Sequence, residues 1–237
     1  MHPFFEFFNQ NRPYISKDSL EWPSSWKIVD YKTYPRLPQI ALPKPNLRDA
    51  SLESAIINRK SEREFSGDSI SLSELSALLF FGAGIVKNGE NNFFHRRSHP
   101  SGGARFPIET YFAALNVDGL KNGIYHYNVL NHAAEFLLDA DRDIIGKLSV
   151  YEFVKKAALV IIFTMIPERS SRKYGNFALK VGLIEAGHIA ENMYLVASAL
   201  KLKGSAVGNI SDNGVVEKLL DIDNSSEIAF YMLAYGK

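Results

Sequence analysis

The sequence predicts an α+β fold, in which strands and helices mix without the regular alternation of a doubly wound sheet. Two observations support this prediction. Strand candidates follow one another early in the chain, over residues 110–117, 123–127, 134–138 and 159–166. A long apolar helix then follows, and after it a strand, a short helix and a last strand, over residues 177–201, 204–210, 213–220 and 227–235.

The composition of the chain excludes several classes of function. It has 237 residues, of which 46% are hydrophobic, so it is long enough to bury a sizeable core. The net charge of +1 gives no overall attraction to nucleic acid or to an anionic membrane. There is no cysteine, and the six histidines show no zinc-ligand spacing, so we predict no metal site. The sequence shows no signal peptide and no apolar run of bilayer length, and we expect a cytoplasmic protein.

Residues 1–49 differ in composition from the rest of the chain. They are rich in aromatic residues and prolines, and they show neither a helical nor a strand period. Because the aromatic side chains favour burial, we expect this segment to be ordered. We predict an extended arm over residues 1–49, lying on the main domain or on a partner subunit, and one domain over residues 50–237.

Two helices are predicted at the start of that domain. The first covers residues 52–59. The second begins after Ser71, whose spacing to Glu74 is that of a capping box, and we expect Gly82 and Gly84 to end it. Residues 87–105 show no period and are predicted to form a long loop, a kind of segment that is usually functional or mobile.

A cluster of cations follows the first of these helices. Arg59, Lys60 and Arg63, with the Ser61 hydroxyl between them, fall within five residues. Guanidinium groups bind a phosphate monoester through paired hydrogen bonds, so the cluster is a candidate phosphate site. An ordinary solvated basic patch explains the same residues. The sequence contains neither a P-loop nor a glycine fingerprint between a strand and a helix, which disfavours a nucleoside triphosphate or a Rossmann-bound dinucleotide.

Residues 100–105 are a second candidate. Their two adjacent glycines allow the backbone to approach a flat or anionic ligand, and a plain turn explains them equally well. The segment consists of Pro100, Ser101, Gly102, Gly103, Ala104 and Arg105.

Lys173 and Tyr174, next to the long helix, are a third candidate, because a lysine and a tyrosine can act together as a proton-abstracting pair. A loop pair facing solvent is the alternative. The long helix is apolar nearly all round, which predicts a core helix. Glu185, His188 and Asn192 fall on one stripe of it, and we interpret them as hydrogen-bonded structural residues.

These segments, taken in order, resemble three motifs of the flavin-dependent nitroreductase superfamily. Within it they resemble the SagB-type dehydrogenases, which oxidise azolines in modified peptides. The resemblance covers almost the whole chain, including residues 22–27 and 34–38 of the arm. The matching residues are Arg59, Ser61, Arg63 and Phe65; then Ser101, Gly103, Ala104, Arg105, Phe106 and Pro107, with Phe106 where the family usually has Tyr; then Lys173, Tyr174, Gly175, Glu185, Ala186, Gly187 and His188.

The resemblance implies a nitroreductase-like fold, with a central mixed or antiparallel sheet flanked by helices. It also implies an intertwined homodimer with two FMN sites at the subunit interface. The basic cluster, Arg59, Lys60, Ser61 and Arg63, would hold the FMN phosphate with help from Lys237. Residues 100–105 would contact the ribityl chain or the ring from the other subunit. The isoalloxazine ring would lie along Val207, Gly208 and Asn209.

The implied activity is FMN-dependent oxidation of thiazoline or oxazoline rings to thiazole or oxazole in a ribosomally made peptide. Molecular oxygen would reoxidise the flavin, and a cyclodehydratase partner would present the substrate. Lys173 would remove the proton, with Tyr174 sharing or relaying it, and we expect Arg172 to lower the pKa of Lys173. His95, Arg96, Arg97 and His99 would contact the peptide or the flavin phosphate, unless they belong to a flexible basic loop.

Two other functions are compatible with the same residues. One is a general NAD(P)H-dependent nitro or quinone reductase of the same superfamily. The other is a non-catalytic scaffold subunit of a peptide-modifying complex that has lost its flavin, although the retained basic cluster argues against it.

Overall fold

The computed structural model describes residues 29–47, 50–89, 95–211 and 214–237. Its centre is a seven-stranded antiparallel sheet with the strand order β1-β6-β5-β4-β7-β9-β8. The strands of this sheet are β1 (Gln39–Ala41), β4 (Ile108–Ala114), β5 (Gly123–Asn128), β6 (Ala133–Asp139), β7 (Leu159–Met165), β8 (Lys203–Val207) and β9 (Ile228–Gly236). Two short strands, β2 (Ile85–Lys87) and β3 (Arg96–Arg97), pair with each other apart from it.

Helices cover both faces of the sheet. In chain order they are α1 (Leu52–Asn58), α2 (Leu72–Ala83), α3 (Arg142–Gly146), α4 (Glu152–Lys156), α5 (Glu168–Tyr174), α6 (Ala178–Ala199) and α7 (Val215–Leu220). Short 3₁₀ turns lie at Gly102–Ala104 and Gly175–Phe177. Within the described residues, none of these helices has both the length and the apolar character needed to cross a bilayer.

The core has two layers, one on each face of the sheet. On the first face, α2 and α6 bury leucine, isoleucine and methionine side chains against Phe112, Tyr125 and Phe163. On the second face, α3, α4 and α7 pack against Tyr111 and Ile162. The middle strands β4 and β7 are buried along their whole length, because both of their faces are covered.

Much of this architecture agrees with the sequence prediction. The fold is α+β, and the strands expected at residues 110–117, 123–127, 134–138 and 159–166 correspond to β4, β5, β6 and β7, with every end within three residues. Ser71 and Glu74 form the predicted capping box, in which the Ser71 N–H donates to Glu74 Oε2 over 2.7 Å. Gly84 caps α2 as expected, whereas Gly82 lies inside the helix, where its missing side chain leaves room for Met193.

The local structure differs from the sequence analysis in three places. Residues 87–105 are not loop throughout, since they include β3 and the 3₁₀ turn at Gly102–Ala104. Lys173 and Tyr174 end helix α5, so the alternative of a loop pair facing solvent does not hold. Helices α3 and α4 were not predicted, because segments of five residues are too short to show a helical period.

Helix α6 is not buried on all sides, which corrects the expectation of a core helix. Gly182, Ala186 and Met193 are buried, with Gly182 against Met165 of β7 and Met193 against Gly82 of α2. Leu179, Leu183 and Ile184 lie on the opposite side and are exposed in the single chain, with Ile184 55% exposed. The apolar residues of the helix therefore form two faces, of which the fold of one chain covers only one.

The described part of the predicted arm includes residues 29–38, which we call the strap, and strand β1, which pairs with β6 at the edge of the sheet. Lys32 Nζ lies 2.6 Å from Glu227 Oε2, and the Tyr34 hydroxyl lies 3.1 Å from that of Tyr111 on β4. Residues 1–28 and 48–49 lie outside the described residues. The division into an arm and a domain therefore stays a prediction.

A buried polar network lies beneath the strap on the second face of the sheet. His126 on β5 is between two carboxylates, with Nδ1 2.8 Å from Glu135 Oε2 and Nε2 3.1 Å from Glu109 Oε2. The other oxygen of Glu135 accepts from the Tyr34 N–H and the Gln39 amide of the arm. An ionised carboxylate only accepts hydrogen bonds, so His126 satisfies both neighbours only when both of its nitrogens carry protons.

The electrostatics of His126 agree with this geometry. Burial by itself lowers the pKa of His126, but hydrogen bonds to Glu109 and Glu135 outweigh it and raise the pKa above the ordinary value. A histidine whose folded-state pKa is raised stabilises the fold fully below its unfolded pKa of about 6.5, and this contribution is lost as the pH rises through the folded-state pKa.

We expect His126→Gln to lower the free energy of unfolding most below about pH 6.5 and progressively less above it, because wild type loses the imidazolium contribution as the pH rises. Each unit by which the pKa is raised corresponds to about 1.4 kcal/mol of this difference. Urea unfolding of both proteins between about pH 6 and 9 measures it. His188→Gln, at an exposed histidine, is the control. A difference between His126→Gln and wild type that does not change with pH would contradict a protonated His126.

Candidate functional site

The side chains of Lys173 and Tyr174 lie against the glycine-rich segment 100–105, which we call the glycine turn. A Cβ atom built on Gly103 would lie 2.7 Å from Tyr174 Oη and 3.0 Å from Lys173 Nζ. Both side chains are half-buried. Helix α5 ends directly after them at Gly175, whose φ of 52° turns the chain before α6 begins. The last turn of α5 thus places the Lys173 amine and the Tyr174 hydroxyl against the backbone of a glycine.

The glycine turn has an unusual backbone, with positive φ at Gly103 (62°), Ala104 (55°) and Phe106 (49°). Non-glycine residues avoid this region, so the surrounding contacts must hold it in place. Ser101 Oγ accepts from the Phe106 N–H over 2.9 Å, and Arg105 Nε donates to the Gly103 carbonyl over 3.1 Å. A side chain at Gly102 would collide with Val181 of α6, so the turn also packs directly on the long helix.

The electrostatics of the pair differ between its two members. Burial and the charge of Arg105 lower the pKa of Lys173, which favours the neutral amine. Burial raises the pKa of Tyr174, which keeps its hydroxyl protonated. Lys173 is therefore the better proton acceptor of the two, and Tyr174 the better donor.

The cation that acts on Lys173 is Arg105, which corrects the expectation that Arg172 does so. Arg172 is exposed and pairs with Glu168 Oε1 at 3.0 Å and with Asp30 Oδ2 at 3.5 Å. Arg105 is buried. A helix turns by 100° per residue, so neighbours in sequence point to different sides, and Arg105 reaches Lys173 from the glycine turn.

The basic cluster follows α1 along the molecular surface. Arg59 caps the C-terminus of α1, and its guanidinium lies 5.8 Å from the centre of the Tyr194 ring. Lys60 pairs with Glu62 at 3.2 Å, and the guanidinium of Arg63 lies 5.7 Å from the Phe153 ring. Lys60, Ser61 and Arg63 are exposed. Their exposure leaves these groups accessible to a ligand.

Val207, Gly208 and Asn209 lie where β8 ends. An apolar groove of about 420 Å³ opens beside Gly208, and a Cβ atom on this glycine would point into open space. The residues that line the groove are Leu183, Ala186, Gly187, Gly208, Phe230 and Tyr231. Lys237 lies at the end of β9 with Nζ 3.4 Å from Glu74 Oε2.

The candidate residues form two groups in one chain. Val181 contacts the glycine turn, whereas Tyr194 contacts Arg59. These two residues are thirteen positions apart in α6, or about 20 Å at 1.5 Å per residue. The Lys173–Tyr174 pair and the basic cluster therefore lie towards opposite ends of the long helix.

The helical stripe and the histidines of residues 95–99 are largely structural. Buried Glu185 lies with Oε1 3.3 Å from Nε2 of His99, and Asn192 donates to the Ser98 carbonyl over 3.2 Å. Asn192 thus makes the expected structural hydrogen bond, whereas the buried Glu185 carboxylate lies beside His99 without a hydrogen bond among the described residues. His188 is exposed, so the same expectation is wrong for it.

Residues 95–99 are not a flexible basic loop. The side chains of His95, Arg97 and His99 are buried, and the Arg97 guanidinium lies 4.5 Å from the centre of the Phe106 ring. Burial lowers the pKa of His99 and favours its neutral form. Arg96 alone of the four is exposed.

Arg169 and Glu109 are two buried charged residues beside the glycine turn that the sequence did not reveal. Arg169 Nη2 lies 2.6 Å from Glu109 Oε1, and Nη1 donates to the Phe106 carbonyl over 2.9 Å. The two residues are 60 positions apart in the sequence and belong to no local pattern. Across residues 29–47, 50–89, 95–211 and 214–237, no group of three or more metal-binding side chains is arranged to hold an ion.

Residues 56–237 match the family model of the nitroreductase family, which is more than half of the chain. The chain belongs to the nitroreductase family. A protein of Methanocaldococcus jannaschii named after the nitroreductases is 33% identical to it over 177 residues, which cover 74% of this chain and 87% of that one. The protein is therefore a member of an oxidoreductase family whose enzymes depend on flavin.

Other relatives of the chain are peptide-processing proteins. The microcin B17-processing protein McbC of Escherichia coli is 28% identical over 150 residues, and the trifolitoxin-processing protein TfxB of Rhizobium leguminosarum is 30% identical over 141 residues. These matches cover 60% and 56% of this chain. They span only 54% of McbC and 38% of TfxB.

Solved structures confirm the nitroreductase-like fold. A nitroreductase-family structure from Anabaena variabilis matches with a TM-score of 0.76 at 24% identity, over 98% of this chain and 46% of that one. The E. coli microcin synthetase McbBCD complex with truncated pro-MccB17 bound contains a chain that matches with a TM-score of 0.64 at 22% identity, over 98% of this chain and 86% of that one. At these identities the likeness concerns the fold alone.

We expect Gly103→Ala and Gly67→Ala to cost similar stability, because both residues have positive φ and an alanine there costs about 1–2 kcal/mol. Only the new methyl group at residue 103 meets Lys173 and Tyr174, whereas residue 67 has open space around it. Gly103→Ala should therefore also displace Lys173 towards solvent and raise its pKa. Acylation of Lys173 measured against pH by peptide mass spectrometry gives that midpoint. Equal midpoints in the two variants would contradict contact between the pair and the turn.

Proposed function

We propose that this protein is an FMN-dependent azoline dehydrogenase of the SagB type. It would oxidise a thiazoline or oxazoline ring in a modified peptide to the aromatic azole. The observation that carries the proposal is the placement of Lys173, an amine whose pKa is lowered by burial and by Arg105, against the glycine turn. The likeness to McbC and TfxB, which are named as microcin- and trifolitoxin-processing proteins, supports a peptide as the substrate.

The residues present fit FMN. The apolar groove beside Gly208 can accept a flat ring, and the glycine leaves its backbone open. Gly204, whose carbonyl accepts from the Glu62 N–H, lies four residues earlier, or roughly 13 Å at about 3.3 Å per residue of strand. Arg59, Lys60, Ser61 and Arg63 at that end of β8 would hold the phosphate, with Lys237 beyond them. The ring would then lie along Val207, Gly208 and Asn209.

The separation of the two groups of residues supports a homodimer. Lys173, Tyr174 and residues 100–105 lie about 20 Å along α6 from the basic cluster, so one chain does not bring both to one ligand. The exposed apolar face of α6, with Leu179, Leu183 and Ile184, lies on the half of the helix that carries Val181. A second copy packed on this face would bury it and bring the pair of one chain to the phosphate site of the other.

The proposed chemistry divides the two hydrogens of the ring between cofactor and protein. When bound, FMN supplies a hydride acceptor. The neutral Lys173 amine takes the proton from the neighbouring ring carbon, and the ring becomes aromatic as the second double bond forms. Tyr174, which stays protonated, donates a hydrogen bond and can return a proton to solvent. Phe106 and Arg105 are buried on the inner side of the turn.

The proposal also includes a partner. A peptide whose rings were already closed by a cyclodehydratase would be the substrate. The name of the McbBCD complex, a microcin synthetase, places McbC in a multi-protein assembly, which supports a partner for this protein. The cytoplasmic location stays a prediction.

One observation favours a second candidate, a general NAD(P)H-dependent nitro or quinone reductase. The M. jannaschii relative, which is 33% identical, bears that family name, and the match spans 87% of its length. Rapid bleaching of the bound flavin by NADPH, coupled to turnover of a nitroaromatic compound, would favour this candidate.

We expect the purified protein to show flavin absorption between about 350 and 500 nm, and Lys173→Ala to keep this spectrum while losing azole formation. Loss of a general base lowers the rate by roughly 10²–10⁴-fold. Mass spectrometry of an azoline peptide detects the reaction as a loss of two hydrogens per ring. Lys121→Ala, at an exposed lysine paired with Asp139, is the control. Full turnover by Lys173→Ala would contradict its role, and a colourless protein without affinity for FMN would contradict the function itself.

We expect Ile184→Glu to convert a homodimer to a monomer and to weaken FMN binding, because a charge would be buried in the interface. Val150→Glu, at a residue that is 76% exposed and lies beside α4, places the same charge outside that interface and should leave the dimer intact. Light scattering coupled to gel filtration measures the mass, and flavin fluorescence measures the affinity. A dimer of Ile184→Glu with unchanged FMN affinity would contradict this arrangement.

A further inference from the structure

Arg169 joins the two parts of the site that face each other. It lies on α5 one helical turn before Lys173, and its side chain is 6% exposed. Its Nη1 donates to the carbonyl of Phe106 over 2.9 Å, and its Nη2 lies 2.6 Å from Glu109 Oε1. One planar guanidinium thus reaches both the end of the glycine turn and the first residues of β4. It ties the helix that carries the pair to the turn that the pair contacts.

The Phe106 carbonyl is buried and needs a hydrogen-bond donor. Phe106 has a φ of 49°, a conformation that residues with large side chains avoid, and it directly follows Arg105, the cation that acts on Lys173. Arg169 supplies the donor for this carbonyl from the helix opposite. Loss of the contact would free the turn and α5 to move apart at the point where Lys173 meets Gly103.

The other partner of Arg169 is fixed in the sheet. Burial by itself raises the pKa of Glu109, but the charge of Arg169 and the hydrogen bond with His126 outweigh it and hold the pKa well below the ordinary range. Glu109 is therefore ionised. His126 in turn bonds Glu135, which accepts from Tyr34 of the strap and Gln39 of β1. The guanidinium is thus anchored to a rigid network and not to a mobile surface group.

We propose that Arg169 is a positioning residue, which holds helix α5 and the glycine turn together so that the Lys173 amine faces the reaction site and stays beside Gly103 and Arg105. The proposal rests on the proposed function only for the consequence on catalysis. The placement of Lys173 itself can be measured without any substrate. Arg169 acts through Lys173 and the turn, and it contacts neither substrate nor cofactor.

The test uses two variants, because Arg169→Met alone would leave Glu109 buried without its partner and could unfold the protein. The first is Arg169→Met combined with Glu109→Gln, which removes both charges while the glutamine keeps a hydrogen bond to His126. The second is Arg169→Lys, which keeps the charge but replaces a planar fork with a single ammonium group that cannot hold two fixed partners in the same way. Lys121→Met, at the exposed pair with Asp139, is the control.

The measurement is the titration of Lys173 by NMR after reductive ¹³C-methylation, with the signal assigned by its absence in Lys173→Arg. We expect the pKa of Lys173 to rise towards that of a free lysine in both test variants and to stay unchanged in Lys121→Met. Flavin absorption should persist, and the turnover number with an azoline peptide should fall about tenfold or more while KM changes little.

Two results would overturn the proposal. One is a wild-type titration of Lys173 in the double variant, even if its melting temperature falls, since the role of Arg169 would then be stability alone. The other is a wild-type titration in Arg169→Lys, since charge and not the two-point contact would then matter. If Lys173 shifts as expected but wild type oxidises no azoline, the positioning role stands and the proposed function fails.

Discussion

The ionised carboxylate of Glu109 is the constraint on which the candidate site depends. A buried charge is tolerated only when opposite charges and hydrogen bonds replace the water that it loses. Glu109 obtains them from Arg169 on α5 and His126 on β5, and His126 needs Glu135 for its second proton. Two carboxylates and two cations therefore balance each other inside the protein. Because each partner comes from a different element, the balance fixes three strands, a helix and the strap in one arrangement.

This arrangement explains how a short helix can place a lysine accurately. Helix α5 has only seven residues, and helices of that length are marginal without tertiary contacts. The Arg169 clamp supplies such a contact from within the helix, one turn before Lys173. On the other side, two residues of the glycine turn and Phe106 directly after it have positive φ, a costly backbone that persists only when its surroundings hold it. Two segments that are each unstable alone meet at Gly103.

The sequence allowed much of the fold to be predicted, because β4 and β7 are runs of strand-forming residues, α6 is a long apolar segment, and the helix cap at Ser71 follows a local rule. It also identified Lys173 and residues 100–105, whose contact the structure shows, although it did not place Lys173 on a helix. Arg169 and Glu109 could not be found in this way, since an ion pair across 60 residues leaves no local pattern. The prediction of which cation acts on Lys173 was wrong for the same reason. Arg172 is the neighbour in sequence, and Arg105 is the neighbour in space.

The burial of α6 was mispredicted for a different reason. The apolar pattern of a helix reports all the surfaces that it covers, whether these belong to its own chain or to another. Gly182 meets Met165 of β7 and Met193 meets Gly82 of α2 in the same chain, while Leu183 and Ile184 are about half exposed. A core helix and an interface helix therefore share an apolar pattern that extends nearly all round the helix. The second face is the part of the pattern that only a partner, proposed here as a second copy, would explain.

The lysine also bears on which reaction the family fold supports here. A nitro or quinone reductase delivers a hydride to its substrate, and the protons that follow can come from water. Aromatising an azoline requires the reverse: a hydride leaves one ring carbon, and a base must take a proton from the other. A half-buried amine with a lowered pKa, held next to a protonated tyrosine, meets that requirement and has no evident use in the first reaction. The lowered pKa of the amine depends on burial and on Arg105, and both act only while the glycine turn stays closed on α5. The buried Glu109 network, which holds the glycine turn against α5, is therefore what would distinguish an azoline dehydrogenase from a reductase built on the same sheet.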